Sequence, residues 1–504
     1  MVFCTVNIGA EPASLIAAYE LVKHDQSVIV LTPDAQVGGY ARTETYRAYP
    51  LDIAAQPFRA ESADIKALCQ EILDASWVPG AGDRMISATM RSRIYYRYRL
   101  FDYPLSLTNA LKHLGPIDTV LTALSYFHAQ SQFQTGHARG NSNAEANTLE
   151  DWLTMRFGRH LYRIFFDPYL KKTWGISGHE LHAEWATHKI EGLSLFTAVA
   201  SALVGSSNVP ILQQRSCDYP KLGPSMLWGK CQKLIEQAKS SVKTNAQVVR
   251  VEHTGHRIAR VVIQQDDKTI AINADDFIVG LPVAAFVKSL NPPAPPAIRK
   301  IAESLKHRAR IVVPVIVKVQ SEGLKSWGLE SWGLEAWPDR CIHVPSSEFQ
   351  VSRIHHYQNW RVATAENKSQ ICLGMEYLCN EGDAIWCMDK ATLMRMAQQE
   401  LADMRLVTDA GLVSQSADDC PIIWQANAYP IYDTAYVRHL SILQDYLKGF
   451  ENLQMVGRHG LHRDMSIEGA MRSGLTAADH ILNQRCINVE RRVEEKNSVL
   501  QLSF

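Results

Sequence analysis

Two glycine-bearing turns are the first places where residue type and spacing could do chemistry. Gly9-Ala10-Glu11-Pro12-Ala13-Ser14 follows the apolar run Val2 to Ile8 and leads into helix-favouring residues from Ala13 to Val22. A glycine at such a turn lets the backbone approach a pyrophosphate. The helix N-terminus then offers unpaired N–H groups and the positive end of its dipole. Of the G-x-G-x-x-G pattern only Gly9 is present: Glu11 brings bulk and negative charge to the second glycine's place, and Ser14 fills the third. The acid that would bind a ribose hydroxyl is replaced by Thr32, with Asp34 two residues on. Gln36-Val37-Gly38-Gly39-Tyr40-Ala41-Arg42-Thr43 adds two glycines and a guanidinium. Two readings stay open here, a dinucleotide site and a βαβ unit kept for packing.

Arginines and tyrosines form the second group. Arg93, Tyr95, Tyr96, Arg97, Tyr98 and Arg99 crowd one segment, and Tyr429 and Tyr432 arrive later. Arginine clamps an anionic group bidentately, and tyrosine donates a hydrogen bond or stacks on a ring. A solvated strand of alternating Tyr and Arg explains the first cluster equally well. No Ser-His-Asp triad emerges at a recognisable spacing. His355-His356 and His459 with His462 are the close histidine groups. With no third ligand in sight they predict no metal site, and His462 reads as a pocket or packing residue. Cys372 and Cys379, inside an apolar segment, read as core.

These residues need elements to hold them. Val2 to Ile8 and Ser27 to Leu31 read as strands around the helix, the βαβ unit of a dinucleotide-binding fold. Met226 to Ala238 reads as a helix, Gln247 to Glu252 as a strand, Arg257 to Gln265 as its hairpin partner and Phe277 to Leu281 as a strand. Pro292 to Pro296 is a stiff boundary, and Arg310 to Val319 is strand-like. The near-repeat from Ser326 to Trp337 reads as a duplicated loop, two copies being too few for a solenoid. The 504 residues suffice for two or three domains, and 46% apolar content with 11 Trp excludes a disordered chain. With 52 basic against 52 acidic residues there is no net field to gather phosphates, so nucleic acid is not an expected partner. The apolar run Leu193 to Val204 is too short for a transmembrane segment of about 20 residues. No leader peptide is read at the start, and ten scattered cysteines without a CxxC pair suit reduced thiols. A cytoplasmic location is the expectation.

Gln36 to Thr43 resembles the GGxxRT element of the flavoprotein class that includes amine oxidases, protoporphyrinogen oxidases and UDP-galactopyranose mutases. The resemblance extends to Asp167-Pro168-Tyr169-Leu170-Lys171-Lys172-Thr173-Trp174-Gly175-Ile176, to Tyr219 through Pro224, to Gly374 through Tyr377 and Ala428 through Asp433. It also covers Val456 through Arg463 and Ala470 through Gly474. It is most similar to the mutase-like and protoporphyrinogen-oxidase-like branch, from about Val2 to Leu482. It implies an α/β fold of GR2-type flavoprotein architecture: a Rossmann-like FAD/NAD(P)-binding domain plus a mixed helical and β-rich substrate domain. The implied division is 1–60, 215–290 and 441–485 for the cofactor, 61–214 and 291–440 for the substrate, and a loose polar tail over 486–504. A helical insert is expected in 61–214.

The resemblance also assigns roles. FAD would be held by Gly9, Ala10, Pro12, Ala13 and Ser14 at the first turn and by Gly38, Gly39 and Arg42. Val248 would lie at the adenine, and Gly457, Arg458, Ile467 and Glu468 at the ribityl chain and pyrimidine edge. Gln56, in the place of a ring-facing histidine, Tyr429 and His462 are the candidate catalytic residues. Departures at Glu11, Ser14, Thr32, Ala54, Ala55 and Gln56 touch different parts of FAD. Two classes therefore remain. One is an FAD-dependent oxidoreductase or flavin-dependent isomerase acting on a small organic molecule. The other has lost the flavin and works as a cyclase, lyase or isomerase, or as a partner subunit; a homo-oligomer is compatible with either.

Overall fold

The computed structural model describes residues 4–47, 49–53, 58, 60, 62–74, 85–90, 92–103, 116–134, 148–183, 185, 215–318, 339–357, 370–407 and 411–501. The opening βαβ unit forms as its pattern requires. β1 (Cys4–Ile8) buries Val6 and Ile8, and α1 (Pro12–Lys23) starts with Pro12 in its first turn. A missing N–H costs nothing at that position. β2 (Ser27–Leu31) then returns parallel to β1, with Cys4 opposite Ser27. Together they nucleate a five-stranded parallel sheet in the order β20 (Leu453–Met455), β13 (Asp276–Val279), β1, β2, β9 (Ser241–Lys243). One face carries α1, α2 (Ala63–Asp74), α6 (Pro224–Gln237) and α12 (Ile467–Gln501), sharing a core that includes Ile16, Leu68, Trp228 and Met471. The other face packs on α7 (Val283–Ser289), α10 (Tyr436–Lys448) and a four-stranded sheet. That sheet runs β12 (Lys268–Asn273), β11 (Arg257–Gln265), β10 (Gln247–Thr254), β14 (Leu290–Asn291). α8 (Pro296–Ser304) leads out of it.

A seven-stranded sheet forms the second large layer. Its order is β19 (Ile423–Pro430), β15 (His307–Lys318), β18 (Gln370–Cys379), β17 (Arg353–His356), β16 (Cys341–His343), β6 (Ser92–Tyr96), β7 (Arg99–Tyr103). β15 and β18 are buried on both faces along nearly their whole length, the mark of central strands covered on each side. α9 (Lys390–Asp403) covers one side through Leu393 and Leu401. The other side meets α4 (Leu149–Phe157) and α5 (Asp167–Trp174), whose Leu153 and Trp174 pack with Phe101 and Tyr429. α3 (Pro116–Gln134) lies outside these, and the ribbons β3 (Thr43–Tyr46)/β4 (Tyr49–Asp52) and β5 (Met85–Met90)/β8 (Arg215–Pro220) complete the described strands.

Three expectations change. β13 stops at Val279 because Gly280 turns the chain into the next loop. The segment read as a helical insert also supplies β5 to β7, and its hairpin β6–β7 joins the seven-stranded sheet by parallel pairing of β6 with β16. The polar segment read as loose continues α12 to Gln501. Its Glu, Arg, Lys and Gln residues have high helix propensity. Just before that segment, Arg485 anchors the helix through Asp276 (2.9 Å), Thr5 (2.9 Å) and Gln26 (2.7 Å). The near-repeat at 326–337, the apolar run 193–204, and Ala54, Ala55 and Gln56 lie outside the described residues. Among the described residues, no helix is long and apolar enough to cross a membrane.

Candidate functional site

The C-terminal ends of the parallel strands open where ligands bind in such folds. β1 runs into Gly9, β13 into Gly280 and β20 through Val456 into Gly457, which begins α11 (Gly457–Gly460). Backbone hydrogen bonds lock these loops together: Gly9 N donates to Leu31 O (2.8 Å), Gly280 N to Ile8 O (2.9 Å) and Gly38 N to Ala10 O (2.7 Å). Gly457 N donates to Ser473 Oγ of α12 at 2.9 Å. Gly9 and Gly457 have φ of +120° and +71°, which only glycine adopts without strain.

The side chain of Glu11 lies among these glycines. A Cβ on Gly9 or Gly280 would run into its carboxylate; one on Gly39 would lie 3.2 Å from its Cβ, and one on Gly457 3.7 Å from its Oε1. Ser14 Oγ donates to Glu11 Oε1 at 2.6 Å. The residue keeps some exposure, yet burial of its carboxyl pushes its pKa up, with the Ser14 hydroxyl and nearby amides offsetting part of that. A dinucleotide diphosphate would need the same glycine-lined space and carries the same sign of charge. The residues present therefore do not fit FAD in that position.

The other cofactor positions have protein partners. Arg42 pairs with Glu44 (2.8 Å) and Asp34 (3.5 Å) and donates to Gly39 O. Thr32, buried at the end of β2, uses its Oγ1 to accept from Asp34 N. Val248 is half-buried on β10, in the four-stranded sheet, close to the end of β2 because Ala246 N donates to Thr32 O at 2.8 Å. Ile467 and Glu468 open α12, but the Glu468 carboxylate accepts from Ser62 Oγ and pairs with Arg472, so it serves the contact with α2. Ala10, Pro12 and Ala13 are buried in the turn and first turn of α1.

A second constellation adjoins this cradle through Arg458. Tyr429, at the end of β19, lies between two guanidinium groups, with Arg353 Cζ 5.5 Å and Arg458 Cζ 5.2 Å from its ring centre. Arg353 Nη2 also donates to Tyr429 Oη (3.2 Å), leaving the phenol proton for another acceptor. Beneath them the fully buried Glu376 on β18 gathers Arg353 (2.8 Å), Arg310 (3.2 Å) and His355 Nε2 (2.9 Å). Burial pushes the Glu376 pKa up, but Arg353, the His355 hydrogen bond and Arg310 outweigh it and hold the carboxyl well below its usual range. Burial drives His355 down, so it is neutral and donates from Nε2. Arg310 also donates to Gln425 and to Ile53 O, tying the end of β4 to the seven-stranded sheet. Three guanidinium groups thus face two carboxylates, Glu376 and Asp464, the latter 3.6 Å from Arg458. The surplus charge suits an anionic guest.

The histidines nearby add no charge. Burial lowers His307 and His459 to about 4 and takes His462 well below its ordinary value. His459 Nε2 donates to Asn427 O (2.7 Å), and its ring meets Tyr40 edge-on. His462 is 0% exposed, its ring 4.5 Å from that of His307 and 5.7 Å from that of Tyr436. In this structure its ring lies in packing contacts with His307 and Tyr436. Tyr429 and Arg458 are brought together, whereas Gln56 lies outside the described residues. Gly280 and the Arg310–Arg353–His355 set were not singled out as site residues. Gly280 had a signal, a glycine ending an apolar strand. The others pair across strands far apart in sequence. In the arginine–tyrosine hairpin, Arg93 and Tyr95 point into the core, where they bond Asp339 and Met404 O, while Arg97, Tyr98 and Arg99 are exposed. Among the described residues no group of His, Cys, Asp and Glu could hold a metal ion.

Fold and cradle together define a dinucleotide-fold protein with a second, β-rich layer over the strand ends. The chain belongs to the family of flavin containing amine oxidoreductases, whose model matches residues 15–482. No curated protein sequence matches it significantly. Among solved structures, a reduced UDP-galactopyranose mutase superposes with a TM-score of 0.76 at 15% identity, covering 96% of this chain and 94% of the other. A protein described as a protoporphyrinogen oxidase, from an Exiguobacterium species, gives 0.67 at 13% identity over 95% and 99% of the two chains. Putrescine oxidase bound to putrescine gives 0.58 at 15% identity over 96% and 99%. At these identities the likeness is one of fold, an α/β flavoprotein architecture.

Proposed function

We propose that this chain is an enzyme acting on a small organic anion at the Arg353–Tyr429–Arg458 stack, through a non-redox reaction run by side chains rather than by FAD. The observation that carries the reading is the stack itself: two guanidinium groups on one tyrosine ring, one of them from Arg458, which follows Gly457 in α11. In this reading Arg458 and Arg353 hold the anion, and Tyr429 donates its phenol proton to the substrate. Glu376, which also accepts from His355, fixes Arg353. The parallel-sheet part (1–60, 215–290, 441–485) is then a scaffold, and 61–214 with 291–440 the substrate-binding region. The family and its mutase and oxidase likenesses support an enzyme rather than a binding module.

The test is a visible spectrum of the purified full chain, followed by thermal unfolding with a panel of sugar nucleotides, including UDP-galactose, and small carboxylates. A colourless protein stabilised by one anion class, with the shift lost in Arg458→Ala, is the expected outcome. No shift from any anion, or an equal shift in Arg458→Ala, would remove the reading. A second reading, an FAD-dependent oxidoreductase or isomerase, is favoured by the retained Gly38, Gly39 and Gly457 with their positive φ. Flavin bands near about 375 and 450 nm would establish it.

A further inference from the structure

We infer that Glu11 is the cradle's own anion, a side chain that occupies from within the place of a dinucleotide diphosphate and closes it. This rests on the reading that the reaction runs without FAD, and it names the residue responsible. Glycines from separate segments, Gly9, Gly39, Gly280 and Gly457, present bare Cα atoms to one side chain. A gap filled for packing alone would put apolar atoms against them; here a carboxylate lies there. It accepts a hydrogen bond from the Ser14 hydroxyl and lies at the amino end of a twelve-residue helix, where the positive end of the dipole favours a phosphate or a carboxylate alike. The loops that would line the diphosphate are still sewn together by Gly9 N to Leu31 O, Gly38 N to Ala10 O and Gly280 N to Ile8 O. Nothing in that framework needs to move for the space to open once the Glu11 side chain is gone. Charge adds to bulk: two like charges a few ångströms apart in a half-buried site repel strongly.

The experiment is calorimetric titration of the full chain with ADP, and then with FAD. ADP carries the diphosphate without the flavin ring, so Ala54, Ala55 and Gln56 do not enter the result. Wild type is expected to show no saturable ADP binding. Glu11→Gly should bind at least about tenfold more tightly than wild type, and Glu11→Gln should gain less, because it removes charge and keeps bulk. Saturable binding by wild type equal to that of Glu11→Gly would overturn the inference. So would a cooperatively folded Glu11→Gly that gains nothing. Should the glycine variant fail to fold, Glu11→Gln decides: any gain supports the inference and none overturns it. The anion shift at Arg458 is read on the same wild-type sample. Its absence alongside an ADP gain in the variants would sink the proposed function and leave this inference standing, and the reverse pattern would do the opposite.

Discussion

Glu376 shows how the site is energised residue by residue. Its carboxylate is buried among Arg353, Arg310 and His355, and removing its charge would leave two guanidinium groups facing each other in a low dielectric. Breaking such a buried pair costs about 3–5 kcal/mol. Glu376→Gln is therefore expected to lower stability by about 3 kcal/mol in denaturant unfolding, whereas Tyr429→Phe, which gives up one hydrogen bond, should cost about 1 kcal/mol. Glu11 behaves in the opposite sense. Its folded pKa is raised, so the folded state binds the proton more tightly than the unfolded chain does, and stability falls as pH rises through the ordinary carboxyl value towards the folded one. Glu11→Gln should accordingly unfold at a higher temperature than wild type at pH 7. That advantage should vanish once the pH drops below the ordinary value of 4.5. Thermal melts across that range check it, and a difference that persists in acid would show that packing rather than charge sets the effect.

At the scale of elements, the βαβ unit was legible because strand, turn and helix are local patterns with apolar periods of their own. What lies across elements was not. Glu376, Arg353 and Arg310 belong to three strands, and only the register that sets Arg353 and Arg310 on either side of Glu376 brings them together. The tight contact of α12 on α1 is similar: a Cβ on Gly474 would run into Ala13 O and come within 3.2 Å of Ala17 N. Gly474→Ala must push the helices apart and should cost about 1–3 kcal/mol, measurable as a lower unfolding midpoint. Its place in the flavin-like motif marked it in sequence, but its reason is helix packing. α5 docks by Lys172, whose Nζ donates to Val344 O (2.8 Å) and Ser346 O (2.7 Å). Burial lowers its pKa to about 7, and Glu400 restores only part. Between pH about 7 and the ordinary 10.5 the unfolded state binds more protons, so stability should rise with pH in that window. Lys172→Met should flatten the rise relative to wild type in melts over the same range.

Across the whole molecule, the seven-stranded sheet is assembled from two distant parts of the chain. The hairpin β6–β7 reaches it by parallel pairing with β16, an arrangement that no local pattern could announce, and hence the helical reading of 61–214. Arg93 on β6 and Asp339, just before β16, stitch that seam. The carboxylate is 0% exposed and the guanidinium 7%, with Nε donating to Oδ2 at 2.7 Å. A pair buried at a seam between remote segments does more than add local stability, since it fixes which strand β16 takes as its neighbour. Arg93→Ala removes the cation beside a wholly buried carboxylate and should cost about 3–5 kcal/mol. Arg93→Leu with Asp339→Leu removes both charges and should recover most of that loss, because the seam's apolar neighbours Tyr95 and Ile342 remain. Limited proteolysis at the exposed Arg97–Tyr98 turn reads the same seam without unfolding the rest. Cleavage there should accelerate in Arg93→Ala and return towards wild type in the double variant. If both variants are cut at the wild-type rate, the hairpin is held by its backbone ladder alone and the ion pair has no part in joining the two halves of the sheet.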